Sequence, residues 1–201
     1  MKNRLELINL FESKNKISKG IELGTYEGEY ASEILKIWTG DLYLIDIWCR
    51  MDTQNYNDSC NREDYINVMH KCCQNIEDNK DRCHMLRMRG NDAVKLFSDE
   101  SLDFIYLDAN HKFDSVYSDM KLWLPKLRKG GVFAGHDFLK IDWFKDLNFA
   151  EDRINKHIYS SGGDYLGLFG VNPAVEKFCI ENNYIFEVTQ DEWFGSWYFI
   201  K

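Results

Sequence analysis

Hydrophobic positions along the chain follow two spacings. Nearly continuous apolar runs, typical of strands buried on both faces, alternate with stretches whose apolar residues lie three or four positions apart, as in amphipathic helices. The runs lie at residues 20–23, 41–47, 85–88, 102–107 and 131–134. The helical stretches lie at residues 5–14, 30–38, 63–79, 93–97 and 115–127. This alternation predicts a parallel α/β sheet with helices on both faces.

The C-terminal part of the chain breaks the alternation. A helix over residues 173–180 precedes two strands at 184–189 and 197–200, which predict a closing hairpin with one antiparallel strand. The length of 201 residues fits a single domain over residues 1–201. Residues 48–62 and 139–170 follow strand ends and fit no strand or helix, so we expect them to form lids.

The turn after the first strand is a candidate ligand site. Gly24 permits a tight turn, and Glu22 places a carboxylate just before it. Counted from Gly24, Tyr26 and Glu29 occupy the other two glycine positions of a dinucleotide fingerprint. The turn therefore disfavours a pyrophosphate and favours a cationic, phosphate-free ligand such as S-adenosylmethionine.

Further polar residues follow the neighbouring strands. Asp46 ends the second strand, where a carboxylate can accept hydrogen bonds from both ribose hydroxyls. Asn91 and Asp92 follow the third strand and either contact the adenine or cap the next helix. The predicted cofactor-binding residues are Glu22, Gly24, Thr25, Tyr26, Gly28, Asp46, Ile47, Trp48, Asn91, Asp92 and Asp108.

Acidic and imidazole side chains follow the fourth and fifth strands. The fourth strand is followed by Asp108 and His111, and the fifth by His136 and Asp137. Adjacent parallel strands end at the same edge of a sheet, so we expect these four side chains to lie close together.

The segment LDFIYLDANHKFDSVYSDMKLWLPKLRKGGVFAGHDF resembles the central block of the macrocin O-methyltransferase-like family of class I methyltransferases. GIELGTYEGEYASEIL is similar to the first motif of that superfamily, and GVNPAVEKF and SWYFIK resemble the family's carboxyl end. The resemblance implies a Rossmann-like, doubly wound sheet of seven strands, with methyl transfer from S-adenosylmethionine to a hydroxyl, often on a sugar and with a divalent cation. By position, Asp108 and Asp137 match metal-binding carboxylates and His111 matches the general base. His136 stands where metal-binding relatives have an acid, and we include it in the predicted metal set.

The chemistry of methyl transfer favours the same assignment. A sugar hydroxyl is a weak acid, and a histidine can accept its proton near neutral pH. Asp108 and Asp137 would oppose the forming alkoxide unless a hard cation such as Mg²⁺ lay between them. Asp108 and His111 are therefore the predicted catalytic residues.

Composition and charge narrow the choice of partners. A net charge of −8 disfavours binding to nucleic acid or to an anionic membrane, and no segment has the length of a membrane span. We expect a cytoplasmic protein with a small-molecule or glycan acceptor, either as a homo-oligomer or within a larger multidomain chain. Side chains in the expected lids that suit a sugar are Trp48, Arg50, Asn55, Tyr56, Asn57, Trp143, Phe144 and Tyr165.

Three other functions fit parts of the pattern. Methylation of a catechol-like acceptor uses similar chemistry on a more acidic hydroxyl. An oxidoreductase on a nucleotide-binding sheet is disfavoured by the missing glycine frame. A non-catalytic cofactor-binding module is disfavoured by the set of Asp108, His111 and Asp137.

Overall fold

The structure is a computed structural model that describes residues 1–11, 18–49, 64–139, 170–190 and 194–201. Its strands are β1 (Lys19–Leu23), β2 (Asp41–Asp46), β3 (Cys83–Arg87), β4 (Leu102–Leu107), β5 (Leu127–Leu139), β6 (Glu187–Val188) and β7 (Phe194–Ile200). Its α-helices are α1 (Arg4–Ile8), α2 (Glu29–Ile37), α3 (Asp64–Ile76), α4 (Gly90–Ala93), α5 (Phe113–Trp123) and α6 (Val171–Asn182). Short 3₁₀ helices span Asn9–Phe11, Glu77–Arg82, Val94–Leu96 and Leu124–Lys126.

The described strands form one seven-stranded sheet in the order β3-β2-β1-β4-β5-β7-β6. The strands β1 to β5 pair in parallel, whereas β7 runs antiparallel to both β5 and β6. The prediction of a doubly wound, seven-stranded sheet with one antiparallel strand is confirmed. Strand order reverses between β1 and β4, so ligands are expected outside the carboxyl ends of these two strands.

Two hydrophobic cores lie on opposite faces of the sheet. On one face α1, α2 and α3 contribute buried side chains such as Leu7, Ile34 and Cys72. On the other face α5 and α6 contribute Met120, Trp123 and Phe178. All six residues of β4 are buried because this central strand is covered on both faces. No helix in the described ranges is long and apolar enough to span a membrane.

Several predicted boundaries shift in the structure. The helix predicted over 115–127 ends earlier, because Pro125 lies in a 3₁₀ turn and Leu127 already begins β5. The predicted strand 184–189 is reduced to Glu187–Val188, which pairs with β7. Most of the predicted helix 93–97 is a 3₁₀ turn, Val94–Leu96, which follows the single α-helical turn of α4.

Candidate active site

A cavity of about 860 Å³ opens at the switch point of the sheet. Its size lies within the range of small-molecule sites. Its walls come from the turn after β1 (residues 22–28, the cofactor turn), the ends of β2, β3 and β4, and one face of α5. The predicted cofactor residues that line it are Glu22, Gly24, Thr25, Tyr26, Asp46, Ile47, Asn91 and Asp108.

Gly24 brings the cofactor turn against the end of β4. A Cβ at this position would lie 2.1 Å from the carbonyl oxygen of Asp108 and 2.5 Å from the Cα of Ala109. Its φ of +90° is also one that other residues rarely adopt. The Gly24 amide donates to the Ile45 carbonyl at 2.8 Å, so the turn is tied to β2 as well. Glycine here lets the cofactor turn and the acidic end of β4 form one wall.

Three non-glycine residues at the strand ends have left-handed backbones. The φ angles are +51° for Tyr26, +38° for Trp48 and +57° for Asp137. Such conformations cost about 1–3 kcal/mol each and concentrate at functional sites. Asp137 lies where the pairing of β5 with β7 shifts register between Gly135 and Phe138. This bulge accommodates the left-handed backbone of Asp137, whose carboxylate lies beside His111.

Glu22 is the most deeply buried acid on the cavity wall. Its side chain is 2% exposed, and its Oε2 atom has no hydrogen-bond partner. Burial, followed by the charge of Asp108, raises the pKa of Glu22 well above its usual value. An unsatisfied buried carboxyl oxygen is costly unless a donor or a cation reaches it. A positively charged ligand in the cavity would satisfy Glu22.

Asp46 shapes the cavity from the end of β2. One of its carboxylate oxygens accepts from the Tyr26 amide at 2.9 Å and the other from the Trp48 amide at 2.8 Å. Each oxygen keeps a second lone pair for a ligand hydroxyl. Trp48 itself lies in the core with 1% exposure, and its indole N–H donates to the Tyr26 carbonyl at 2.8 Å. The Trp48 ring therefore supports the cofactor turn from behind and does not line the cavity.

Asn91 and Asp92 separate in the structure. Asn91 lines the cavity, whereas Asp92 forms an exposed ion pair with Lys95 at 2.8 Å. Gly28 also stands off the cavity wall, and its amide donates to the Thr25 carbonyl at 2.9 Å. Asn91 is thus the residue of this pair that is placed to contact a cofactor.

Asp108, His111 and Asp137 converge at the ends of β4 and β5. The His111 Nε2 atom lies 2.8 Å from Asp137 Oδ2 and 3.6 Å from Asp108 Oδ1. All three side chains are between 19% and 27% exposed. The imidazole nitrogen is close to Asp137 without being directed at it, so Nε2 lacks an aligned hydrogen-bond acceptor. The contact is an ion pair between the imidazolium and the carboxylate.

The charges of this cluster shift its titration. Burial alone would lower the pKa of His111, but Asp108 and Asp137 outweigh it and raise the pKa to about 10. Burial would raise the pKa of Asp137, but His111 and His136 outweigh it and hold the pKa well below its usual value. At neutral pH His111 is therefore protonated between the two carboxylates.

The donor set of the cluster fits a divalent cation. Asp108, His111 and Asp137 each offer one ligand atom, and these atoms lie within 4.8 Å of one another. Two carboxylates suit a hard cation, whereas a protonated imidazole cannot be a metal ligand, so Asp108 and Asp137 would hold the ion. His136, the other predicted ligand, lies farther out, with Nδ1 3.3 Å from Asp137 Oδ1 and 4.0 Å from Asp108 Oδ2. Asp108 and Asp137 are therefore the candidate metal ligands, with His111 beside them and His136 paired to Asp137.

Two further walls of the cavity were not predicted from the sequence. One face of α5 contributes Ser115, Ser118, Asp119 and Leu122. Burial raises the pKa of Asp119 to about 6. The helical spacing of these residues could have revealed that they share a face. Arg4 of α1 also lines the cavity, and no local pattern marks it because its position depends on how α1 packs against α2.

The predicted acceptor side lies largely outside the described residues. Arg50, Asn55, Tyr56, Asn57, Trp143, Phe144 and Tyr165 fall in the ranges 50–63 and 140–169. Of the two expected lids, only residues 48, 49, 139 and 170 are described. The preference for a sugar hydroxyl thus stays a prediction.

Solved structures share the fold at low sequence identity. A protein from Corynebacterium glutamicum is 14% identical with a TM-score of 0.62, over 98% of this chain and 79% of that one. The O-methyltransferase from Bacillus cereus in complex with SAH is 15% identical with a TM-score of 0.60, over 98% and 78% of the two chains. The O-methyltransferase TomG from Streptomyces achromogenes, involved in tomaymycin synthesis and in complex with SAM, is 12% identical with a TM-score of 0.61, over 98% and 78%. At these low identities, the three structures show that the fold is shared.

A sequence-family comparison goes further. No curated protein matches the chain. A family model described as a methyltransferase domain matches residues 21–138. That stretch is more than half of the 201 residues and runs from the cofactor turn through Asp108 and His111 to Asp137. The chain therefore belongs to the methyltransferase-domain family.

Proposed function

We propose that the protein transfers a methyl group from S-adenosylmethionine to a hydroxyl of a sugar or glycan. The observation that carries this proposal is the convergence of Asp108, His111 and Asp137 beside a cavity that also contains the unsatisfied carboxyl of Glu22. One group of residues suits a cationic cofactor, and the other suits removal of a proton from a hydroxyl.

The cavity suits S-adenosylmethionine in its charge. The cofactor has a sulfonium and an ammonium and no phosphate, and Glu22 and Asp108 line one wall of the cavity. Asp46 has lone pairs available for the ribose, and Asn91 lies on the side where the adenine is expected. A pyrophosphate would meet these carboxylates at close range and be repelled.

His111 is the proposed general base. Two carboxylates raise its pKa, and a base must be neutral before it can accept a proton. When bound to Asp108 and Asp137, a divalent cation would neutralise their charge and polarise the acceptor hydroxyl. With those carboxylates neutralised, the pKa of His111 would fall towards its ordinary value, and the imidazole would be able to accept the hydroxyl proton. The roles of metal and base are thus linked through the same two carboxylates.

The identity of the acceptor as a sugar is the most specific part of the proposal. It is supported by the resemblance of residues 102–138 to the macrocin O-methyltransferase-like family. A catechol-like acceptor would need the same cation and weaker base assistance, because a phenol loses its proton more readily. The two acceptors are therefore separated by experiment.

The test is turnover on a panel of deoxysugar glycosides and simple catechols with S-adenosylmethionine and Mg²⁺ or Mn²⁺. Mass spectrometry should show a gain of one methylene unit on a glycoside. His111→Gln and Asp137→Asn should each lower the rate by roughly 100-fold or more, since general-base assistance alone contributes about 10²–10⁴-fold. Excess EDTA should lower it to a similar degree, with recovery on adding the metal back.

His84→Gln is the matched control. His84 also lies beside a carboxylate, with Nε2 3.6 Å from Asp41 Oδ1. This pair lies near the amino-terminal ends of β2 and β3, at the edge of the sheet opposite the candidate site. This variant should keep the wild-type rate. Wild-type rates in both site variants would contradict the assignment of the base and the carboxylate. Full activity in EDTA would exclude the metal from the proposal and leave the rest in place. Methylation confined to catechols would replace the proposed sugar acceptor with a catechol-like one.

A further inference from the structure

The cavity is strongly acidic, and its cations are few. Among the described residues, seven carboxylates, two guanidinium groups and the imidazole of His111 line it. The carboxylates belong to Glu22, Glu27, Glu29, Asp46, Asp108, Asp114 and Asp119, and the guanidinium groups to Arg4 and Arg89. S-adenosylmethionine carries one anionic group, the α-carboxylate of its methionine part. In such an acidic cavity that carboxylate needs a specific cationic partner, because carboxylates nearby would repel it.

Arg4 is held firmly at one end of the cavity. Its guanidinium carbon lies 5.0 Å from the centroid of the Tyr30 ring, and the Tyr30 hydroxyl donates to the Arg4 carbonyl at 3.0 Å. The next turn of the short helix is anchored by Leu7 and Ile8, which are fully buried. Arg4 is thus a fixed part of the wall, although it lies close to the first residue of the chain.

The Arg4 guanidinium acts electrostatically on the site but, among the described residues, forms no ion pair there. Burial raises the pKa of Glu22, and the Arg4 guanidinium opposes that rise, which places Arg4 within electrostatic range of the carboxyl. Within the described residues, however, Arg4 forms no ion pair with any carboxylate. A cation that lines a cavity, stacks on an aromatic ring and lacks a carboxylate partner is ready to bind an anion.

The two arginines lie towards different ends of the cavity. Arg89 precedes α4 beside Asn91, on the side of β3 where the adenine is expected. Arg4 lies with Tyr30 and Glu22, on the side of β1 and α2. The methionine part and the adenine occupy opposite ends of the cofactor, so the cation near Glu22 is the one within reach of the amino-acid end.

We infer that Arg4 binds the α-carboxylate of S-adenosylmethionine, beside Glu22, which takes the ammonium of the same amino-acid group. This inference rests on the proposed use of that cofactor. Arg4 is accordingly a cofactor-binding residue that orients the methionine part. The flat guanidinium can pair with both carboxylate oxygens, which a lysine ammonium cannot do in the same geometry.

Two adenosine derivatives separate this role from a structural one. S-adenosylhomocysteine keeps the amino-acid group, whereas 5′-methylthioadenosine lacks it. By calorimetry, Arg4→Gln should weaken binding of S-adenosylhomocysteine by roughly 10- to 100-fold, where each tenfold change corresponds to about 1.4 kcal/mol. Binding of 5′-methylthioadenosine should be unchanged, because this ligand lacks the carboxylate. Arg4→Lys should recover part of the loss. Arg89→Gln, with the same change of charge at the other end, should not discriminate between the two ligands.

Three results would overturn the inference in distinguishable ways. Unchanged binding of S-adenosylhomocysteine by Arg4→Gln would show that Arg4 does not hold the carboxylate. An equal loss for both ligands would show that Arg4 acts by supporting the turn and Tyr30. If the wild-type protein binds neither ligand, the proposed use of the cofactor fails, and the inference about Arg4 fails with it.

Discussion

The proton on His111 couples the candidate site to the stability of the protein. Its pKa is raised to about 10 by Asp108 and Asp137, against the lowering effect of burial. A group whose pKa is raised on folding stabilises the folded state fully below its ordinary value near 6.5, and this contribution is lost as the pH rises towards the folded value. In EDTA, we expect the unfolding free energy to fall between about pH 6.5 and 10.

The size of this effect can be measured by urea denaturation at several pH values in that range. One unit of pKa shift corresponds to about 1.4 kcal/mol, and partial exposure of the cluster reduces the effect, so wild type should lose roughly 2 kcal/mol more than His111→Gln. The comparison with the variant cancels other groups that titrate in the same range. Parallel pH profiles for the two proteins would show that His111 is not held as an imidazolium.

Individual residues of the site differ in how well the sequence predicts their positions. Asp108, His111 and Asp137 were expected together because the ends of adjacent parallel strands meet, and the structure places them together. Trp48 was expected to face a ligand, but the left-handed backbone at this position accompanies a ring buried in the core. Arg4 was missed because it reaches the site through the packing of α1 on α2, which no spacing along the chain records.

At the scale of elements, the joint between β5 and α6 depends on one side chain. The Asn172 amide donates to the Leu139 carbonyl at 2.8 Å, and its Oδ1 atom accepts from the Leu139 amide at 2.9 Å. Both residues are at most 2% exposed, so Asn172 imitates a paired strand and satisfies two backbone groups that water does not reach. Asp137 lies two residues before Leu139, so the same bonds help to fix the end of β5.

Removing the Asn172 side chain should lower the free energy of unfolding. Asn172→Ala leaves a buried N–H and a buried carbonyl without partners, and we expect a loss of about 2–4 kcal/mol in unfolding free energy by urea denaturation. Asn182→Ala, an exposed position near the end of the same helix, should stay within about 0.5 kcal/mol of wild type. Similar free energies of unfolding in the two variants would mean that the two Leu139 bonds contribute little to stability.

Strands were predictable in proportion to their burial. The bounds of β4 were predicted to the residue, because both of its faces are covered and every residue except Asp103 is apolar or aromatic. The sixth strand was predicted too long. Ile185 is 91% exposed and stays outside it, because an edge strand has only one neighbour to hold it. Apolar character thus predicts a strand where packing on both faces makes use of it.

For the whole molecule, the order of strands decides where the cofactor is bound. The reversal between β1 and β4 opens a gap at one edge of the sheet, and Gly24 lets the first turn meet Asp108 across it. The cofactor turn, the acid of β2 and the end of β4 therefore belong to a single cavity. A ligand that fills the cavity would join elements from both halves of the sheet, so its binding should stabilise the folded chain as a unit.

Thermal denaturation can therefore separate the proposed cofactor from a dinucleotide. A ligand that binds only the folded state at about 100 times its dissociation constant stabilises it by about 2.7 kcal/mol. For a chain of this length each kcal/mol raises the melting temperature by about 2–4 °C, so saturating S-adenosylhomocysteine should raise it by roughly 5–10 °C. NAD at the same concentration should give no rise, because its pyrophosphate would meet Glu27 and Glu29 in place of a glycine-rich turn. A rise with NAD and none with S-adenosylhomocysteine would overturn the choice of cofactor, whereas the fold would stand.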